Sequence, residues 1–297
     1  MKHLLYCIGS FALLCVLTGA PSPAAQAVAP TGSPSPSSAA SSAPPRPSDG
    51  VIPYAAFIKD AVRQPGLFTL WRKDGRVYLE LRDDQFDKEY LQTAQAANGL
   101  GGYGIKSGDV FQMEARVFKF SRDGRRVSVL WPQTRFLADA NTPLAQAVSA
   151  STADSVEGLA TIISEDLEHH TTVLDLSLLL GDVADFTTSL NNTAADPHDG
   201  ATSYHLDPQR TYFGSSKAFP KNVIIEADQT FASQKPHALD SVVDPRSVQL
   251  RIKYNFAELP SSPDYVPRLA DDRVGYWTDP HMQFGHDDQP DNQLRYI

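Results

Sequence analysis

The sequence predicts an α+β fold that is rich in strands, with antiparallel hairpins or a meander and two or three short helices. Two observations predict it. The Asp-Gly pairs Asp74-Gly75 and Asp123-Gly124 each separate two runs of strand-forming residues, which is a strong hairpin signal. Residues 247–256 alternate apolar and polar side chains over their whole length, which is typical of a half-buried strand.

The first 50 residues are predicted to lie outside this fold. A short basic start and an apolar run over 4–17 precede Ala25-Gln26-Ala27, a small-x-small cleavage site, with Ala27-Val28-Ala29 as an alternative. We therefore expect a signal peptide over 1–27 and an exported protein, periplasmic or extracellular. Residues 28–50 are mostly Pro, Ser and Ala, which cannot bury apolar area and so predict a disordered linker.

Composition restricts the partners and the chemistry. Both cysteines, Cys7 and Cys15, lie in the predicted signal peptide, so we expect a mature chain without disulfides or thiolate metal sites. The formal net charge of -9 argues against a nucleic-acid partner or an anionic membrane surface. The apolar run of the leader is too short for a comfortable span, and we expect no membrane span in the mature chain.

The first predicted elements are a helix over 55–62 and a hairpin. Pro65-Gly66 ends the helix, and strands over 67–71 and 77–81 follow around Asp74-Gly75. We expect a type I′ turn there, because both of its central residues need positive φ. The alternation in the second strand predicts that Val77, Leu79 and Leu81 lie on a buried face. It predicts that Tyr78, Glu80 and Arg82 lie on the opposite, wetter face.

The middle of the chain contains the second Asp-Gly hairpin, followed by two predicted helices. Strands over 117–122 and 127–131 flank Asp123-Gly124, and the glycines of 98–104 predict a loop or tight turn without P-loop spacing. Asn141-Thr142-Pro143 predicts a capped short helix. A second helix is expected from a capping box at 154–157 to about 166, because apolar residues recur at helical spacing, namely Val156, Leu159, Ala160, Ile163 and Leu167.

The last predicted strands cover 172–180, 222–227 and 247–256. Two clusters resemble metal sites, at 165–170 (Glu-Asp-Leu-Glu-His-His) and at 281–288, which contains two histidines and two aspartates. Neither has H-E-x-x-H spacing, and we interpret them as a solvated helix end and an exposed loop. An enzyme with an unrecognised site remains open, built on Asp182, Asp185, His169 or His205.

Four stretches carry a resemblance to a known family. They are 65–68 (Pro-Gly-Leu-Phe), 218–222 (Ala-Phe-Pro-Lys-Asn), 244–248 (Asp-Pro-Arg-Ser-Val) and, most specifically, 267–277 (Pro-Arg-Leu-Ala-Asp-Asp-Arg-Val-Gly-Tyr-Trp). Through them the chain resembles the N-terminal portion of bacterial exported zinc-dependent metalloproteases. In that family a β-rich domain of unknown function precedes a metzincin-like catalytic domain, and the last stretch more often ends in Phe than in Trp.

The resemblance implies an accessory role without catalysis in this chain. The family's zinc motif, H-E-x-x-H with a third His, would follow beyond Ile297 and matches nothing here, so no catalytic or zinc-binding residue carries over. Zinc is expected only in the downstream domain, and this chain is expected to hold no cofactor. We expect a β-rich module over 51–259, then an extended segment over 260–297 leading to a catalytic domain absent from a truncated chain.

The expected partner is that metalloprotease domain in cis, and possibly a peptide substrate. We expect the segment after 259 to dock onto it through six residues, Arg268, Asp271, Asp272, Arg273, Tyr276 and Trp277. Two alternatives remain open. The segment could be a self-contained surface loop with local salt bridges, and the chain could be a standalone secreted binding module for peptide or glycan.

Overall fold

The computed structural model describes residues 50–101, 105–109, 115–260, 279–285 and 293–296. The chain divides into two units, 1–48 and 49–297, and the described residues belong to the second. The predicted signal peptide and nearly all of the predicted linker lie outside the described residues.

Strands dominate the described part of the chain. Its three α-helices are α1 (Tyr54–Ile58), α2 (Pro143–Ser151) and α3 (Phe186–Ala194). Its strands, in chain order, are β1 (Val62–Gln64), β2 (Thr69–Lys73), β3 (Arg76–Arg82), β4 (Glu89–Ala96), β5 (Arg116–Asp123), β6 (Arg126–Trp131), β7 (Phe136–Ala138), β8 (Ser155–Asp166), β9 (Thr171–Asp175), β10 (His205–Ala218), β11 (Asn222–Ala232), β12 (Ser247–Glu258), β13 (Asp279–Phe284) and β14 (Gln293–Tyr296). Short 3-10 turns cover Asp83–Gln85, Ser177–Leu180 and Gly200–Thr202.

Eleven strands form one sheet in the order β1-β2-β3-β9-β8-β6-β5-β4-β12-β11-β10, and all of its neighbouring pairs are antiparallel. A second sheet has the order β14-β13-β7, in which β13 is antiparallel to β14 and parallel to β7. The predicted α+β, strand-rich fold is confirmed. None of the helices in the described part has the length and apolar character that a membrane crossing requires.

The two ends of the large sheet come into contact. The amide of Leu67 donates a 2.7 Å hydrogen bond to the carbonyl of Phe219, beyond the end of β10. At the same contact between the two ends of the sheet, called the seam below, Arg72 donates through Nη1 to the carbonyl of Gly214 at 2.5 Å. Because a Cβ on Gly66 would lie 2.7 Å from the backbone of Phe219, the close approach requires glycine at position 66.

The inner face of this curved sheet forms the main core. The predicted alternation of β12 is confirmed, since Val248, Leu250, Ile252, Tyr254 and Phe256 are each at most 2% exposed. Aromatic rings pack edge-to-face in the same core, and the ring centroids of Phe68 and Tyr90 are 4.8 Å apart. A smaller second core lies on the outer face, where α1 covers Trp71 and Val173 with Phe57.

Both predicted hairpins exist, but their turns differ. Lys73 pairs with Arg76, and both central residues between them have positive φ, 49° at Asp74 and 74° at Gly75. The type I′ prediction is therefore confirmed for that turn. In the second hairpin Asp123 pairs with Arg126, so the central residues are Gly124 and Arg125, and only Gly124 has positive φ. This is the pattern of a type II′ turn, one residue later than predicted.

The helix predicted from the capping box at 154–157 to about 166 is wrong, because these residues form β8. Three residues of the predicted buried face point to solvent: Val156 is 61% exposed, Leu159 59% and Leu167 83%. Burial instead alternates with period 2 through Ala160, Ile162 and Ser164. The segment pairs with β6 on one side and β9 on the other, so strand pairing decided the structure over the apparent helical spacing.

Other predicted elements differ mainly at their ends. The helix predicted over 55–62 ends at Ile58, and β1 begins at Val62. The strand predicted over 172–180 ends at Asp175, whose Oδ1 accepts from the Ser177 amide at 2.7 Å and starts a 3-10 turn. The capped helix after Thr142 is confirmed, since the Thr142 hydroxyl accepts a hydrogen bond from the Ala145 amide. Sequence reasoning missed β1, β4, β7, α3, β10 and the two short strands β13 and β14.

Candidate functional site

A cavity of about 450 Å³ lies on the outer face of the sheet, where β2, β3, β9 and β8 run side by side. Strand register brings its lining residues together. Glu80 on β3 is opposite Thr69 on β2, while Thr171 on β9 lies between Arg82 and Asp166. Because the side chains of one face alternate along each strand, all of these residues point to the same side of the sheet.

Glu80 lies at the bottom of this cavity and is only 8% exposed. Its Oε1 accepts hydrogen bonds from the Tyr54 hydroxyl at 2.9 Å and the Thr171 hydroxyl at 2.7 Å. Its Oε2 accepts from Nε1 of Trp71 at 2.7 Å. The alternation placed Glu80 correctly on the outer face, but the prediction of a wetter environment is wrong, because α1 covers this part of the sheet.

All three hydrogen bonds to the Glu80 carboxylate come from neutral donors. Among the described residues none forms an ion pair with it. The two arginines that line the cavity are engaged elsewhere, since Arg82 bonds Asp84 at 2.9 Å and Arg63 lies over the Trp71 ring at 6.0 Å. Burial, and then the hydrogen bond to Glu80, raise the pKa of the Tyr54 hydroxyl, so this group keeps its proton and remains a donor.

The rim of the cavity carries an imidazole–carboxylate pair. Nδ1 of His169, in the turn between β8 and β9, lies 2.7 Å from Oδ2 of Asp166, the last residue of β8. The bond lowers the pKa of the Asp166 carboxyl and raises the pKa of the His169 ring. Both histidines of the cluster at 165–170 are exposed, so the solvated position is confirmed, although the element is a turn between strands and not a helix end.

A second polar group lies on the inner side of the sheet. Oε1 of Glu157 accepts a 2.7 Å hydrogen bond from Nε2 of Gln92, while its buried Oε2 has no partner among the described residues. Burial raises the pKa of Glu157 to about 7, against the Gln92 hydrogen bond and the Arg116 charge, which lower it. A carboxyl group that titrates near neutral pH and has an unused acceptor can exchange a proton under ordinary conditions.

Comparison with known families assigns the chain to a group without an established activity. Residues 111–297 match a family described as "Domain of unknown function (DUF5117)", and residues 51–99 match "Domain of unknown function (DUF5118)". The chain belongs to the DUF5117 family. No curated protein matches it, and no solved structure matches it.

The DUF5117 and DUF5118 regions of this chain both contribute strands to the large sheet. β3, in the DUF5118 region, pairs with β9 of the DUF5117 region, and β4 of the first pairs with both β5 and β12 of the second. The cavity that contains Glu80, called the Glu80 cavity below, lies at this boundary between the two regions. Tyr54, Trp71 and Glu80 come from the DUF5118 match, whereas Asp166 and Thr171 come from the DUF5117 match.

The four residues considered for an unrecognised enzyme site do not come together in this DUF5117 chain. Asp182 and Asp185 cap α3, accepting hydrogen bonds from the amides of residues 186 to 188. His205 begins β10 and lines a different cavity of about 750 Å³, and His169 lies on the rim of the Glu80 cavity. Burial raises the pKa of Asp182, but its oxygens are used by the helix start.

The remaining predicted sites are only partly within the described residues. No three His, Cys, Asp or Glu side chains of the described ranges come together as a possible metal site. Nδ1 of His281 lies 2.7 Å from the carbonyl of Thr134, whereas 286–288 lie outside the description. The predicted docking residues also fall outside it: Arg268, Asp271, Asp272, Arg273, Tyr276 and Trp277.

Sequence reasoning missed the Glu80 cavity because its members are scattered. Tyr54 and Thr171 are 117 positions apart (171 − 54) and meet only through the pairing of β3 with β9. One signal was available. A glutamate in a strand between Leu79 and Leu81, directly after an Asp-Gly hairpin that also carries a tryptophan, marks a polar group near an aromatic donor.

Proposed function

We propose that this chain is the non-catalytic accessory module of an exported zinc-dependent metalloprotease, with a pro-like or docking role toward a catalytic domain. The proposal rests first on the four stretches that resemble that family, the most specific of which is 267–277. The leader pattern over 1–27 supports export to the periplasm or beyond the cell. Zinc belongs, in this proposal, to the downstream domain.

The small sheet β14-β13-β7 is the observation that supports a docking role most. β13 pairs with β7 between 136 and 138, and the amide of Met282 donates to the carbonyl of Arg135 at 2.8 Å. The chain beyond β12 is thereby attached to the module. β14 is the last strand of that sheet, and an edge strand offers unpaired backbone groups to which a further strand can add.

In this proposal the residues between β12 and β13 contact the catalytic domain. Arg268, Asp271, Asp272 and Arg273 supply charges of both signs, and Tyr276 and Trp277 supply aromatic surface. Aromatic side chains and arginine are the residues most often enriched where protein surfaces associate. The partner is the metalloprotease domain in cis.

Limited proteolysis tests the docking role. The purified protein is compared with the same protein continued by the domain encoded downstream, and cleavage between 260 and 278 is followed by mass spectrometry. We expect the downstream domain to slow cleavage there at least about fivefold, since associated segments must open before they are cut. Arg273→Glu in the longer protein should restore fast cleavage, and Lys217→Glu on the exposed part of β10 is the matched control.

Equal cleavage rates in the two proteins would rule out docking. A simpler check comes before it, because the proposal requires that the nucleotide sequence downstream, in the same or a shifted frame, encodes H-E-x-x-H. Unrelated downstream sequence would favour the alternative, a standalone secreted binding module. The Glu80 cavity is the observation that favours this alternative.

A further inference from the structure

We propose that the Glu80 cavity binds an organic cation, the primary ammonium group of a peptide, from either a lysine side chain or a free amino end. This inference does not depend on the accessory role, because the residues that carry it all lie within β1, β2, β3, β8, β9, α1 and the turn after β8.

Glu80 has no countercharge among the described residues. Removing a carboxylate from water is expensive unless hydrogen bonds and an opposite charge compensate. Glu80 receives three hydrogen bonds, all from the neutral groups of Tyr54, Trp71 and Thr171. Since an ionised carboxylate has about four acceptor positions, one position stays available, and no cation of the described residues fills it. A ligand ammonium supplies both the hydrogen bond and the charge.

The cavity has the size of a small-ligand site and a partly aromatic lining. Its volume of about 450 Å³ falls within the range of roughly 300–1,000 Å³ that small-ligand sites occupy. Trp71 and Tyr54 border it with their rings edge-to-face at 6.4 Å. Aromatic ring faces carry negative charge density and attract cations, and the Arg63 guanidinium already lies 6.0 Å from the centre of the Trp71 ring. Thr69 and Asp166 add further oxygen acceptors on the walls.

The charges of the other lining groups argue against an anionic ligand. The positive charge of Arg82 is compensated by Asp84, and any charge on the His169 ring is compensated by Asp166. Arg63 is exposed and turned over the Trp71 ring. The uncompensated buried charge of the cavity is therefore negative, and an anion would meet Glu80 at its floor.

The surface next to the cavity already binds one ammonium group in this way. Nζ of Lys73 donates to the carbonyls of Phe57 at 2.8 Å and Lys59 at 2.9 Å, at the end of α1. It also lies 5.7 Å from the centre of the Phe57 ring. Oxygen acceptors and aromatic rings recur inside the cavity, where the Arg63 guanidinium lies over the Trp71 ring but none of the described cations pairs with Glu80.

Calorimetric titration of the purified protein tests the proposal with four short peptides. Ac-Gly-Lys-Gly-NH₂ carries a side-chain ammonium and Gly-Gly-Gly-NH₂ a free amino end, so the two arms separate the sources. Ac-Gly-Nle-Gly-NH₂, with norleucine in place of lysine, and Ac-Gly-Gly-Gly-NH₂ are their uncharged controls. We expect at least one ammonium peptide to bind about tenfold or more tightly than its control. Equal binding within both pairs, or no binding, would overturn the proposal.

Two variants locate the site. Glu80→Gln should weaken ammonium binding about tenfold or more, while Glu89→Gln, at an exposed position on β4, should leave it unchanged. Circular dichroism checks that each variant is folded. Should Glu80→Gln unfold, Thr69→Leu decides, because it fills the cavity and keeps the three hydrogen bonds of Glu80. Unchanged binding in a folded Glu80→Gln or Thr69→Leu protein would contradict a site in this cavity.

Discussion

The indole nitrogen of Trp71 donates a 2.7 Å hydrogen bond to Oε2 of Glu80 across the first hairpin of the sheet. The two residues are diagonal neighbours, because Trp71 pairs with Tyr78 and Glu80 pairs with Thr69. Trp71 is also the centre of the outer core beneath α1, in edge-to-face contact with Phe57 at 5.9 Å. One side chain therefore anchors the helix and positions the buried carboxylate.

Trp71→Phe is expected to destabilise the protein by about 2 kcal/mol, because it leaves Oε2 of the buried carboxylate without its donor. Urea unfolding followed by circular dichroism measures the loss. Tyr54→Phe is the comparison. It removes one of two donors to Oε1, since Thr171 remains, and should cost only about 1 kcal/mol. A Trp71→Phe protein as stable as the parent would mean that this hydrogen bond does not hold Glu80.

Glu157 should make the protein less stable as the pH rises toward neutrality. Burial raises its pKa from 4.5 to about 7 in the folded state. Between those values the folded protein holds a proton that the unfolded chain has released, so the free energy of unfolding falls with increasing pH. The expected fall is on the order of 3 kcal/mol from this group, complete once the pH exceeds the folded pKa.

Replacing Glu157 with glutamine should remove this fall, because the amide is neutral at every pH. We expect Glu157→Gln to be more stable than the parent above pH 7, with a smaller difference below pH 4.5. Urea unfolding across that range gives the comparison. Glu258→Gln, at an exposed site paired with Lys88, should keep the parent's profile. A profile unchanged by Glu157→Gln would show that the carboxyl does not carry the effect.

The sequence predicted those elements whose signal is local. The type I′ turn at Asp74-Gly75 and the strand 247–256 could be predicted because turn chemistry and period-2 alternation act over a few residues. The Glu80 cavity could not be predicted, because the pairing of β3 with β9 connects residues far apart in the chain. Register across five strands (β1, β2, β3, β9 and β8) cannot be obtained from the alternation of any one of them.

The error over β8 has a different cause. Val156, Leu159 and Ile163 match helical spacing, but a strand in the middle of a sheet also tolerates apolar residues on its outer face. β-branched residues at 161–163 favoured the strand, and pairing on both sides fixed it. The sequence therefore contains both signals, and strand pairing decides between them.

Thr161→Ala distinguishes a strand from a helix by the sign of its effect. Thr161 is exposed on β8 and lies between Arg126 and Asp175 of the neighbouring strands. Threonine favours strands, so the change should destabilise the protein by about 0.5–1 kcal/mol, whereas in an exposed helix it would stabilise it. Ala147→Thr in α2 is the reciprocal control and should also destabilise, by about 0.5 kcal/mol. Increased stability of Thr161→Ala would contradict the strand.

Gly66→Ala should open the seam where the two ends of the large sheet meet. An added Cβ would lie 2.7 Å from both N and O of Phe219 and 2.8 Å from Cβ of Ala218, and backbone atoms cannot give way as a flexible side chain can. We expect a loss of about 1–3 kcal/mol, as for overpacked sites in general, and faster amide hydrogen exchange at Leu67, whose hydrogen bond to Phe219 would lengthen. Gly200→Ala is the matched control, because no atom lies within 4 Å of its added Cβ. If Gly66→Ala and Gly200→Ala had the same stability and the same exchange at Leu67, the seam would not be tightly packed, and the contact of the sheet's two ends would contribute little to the fold.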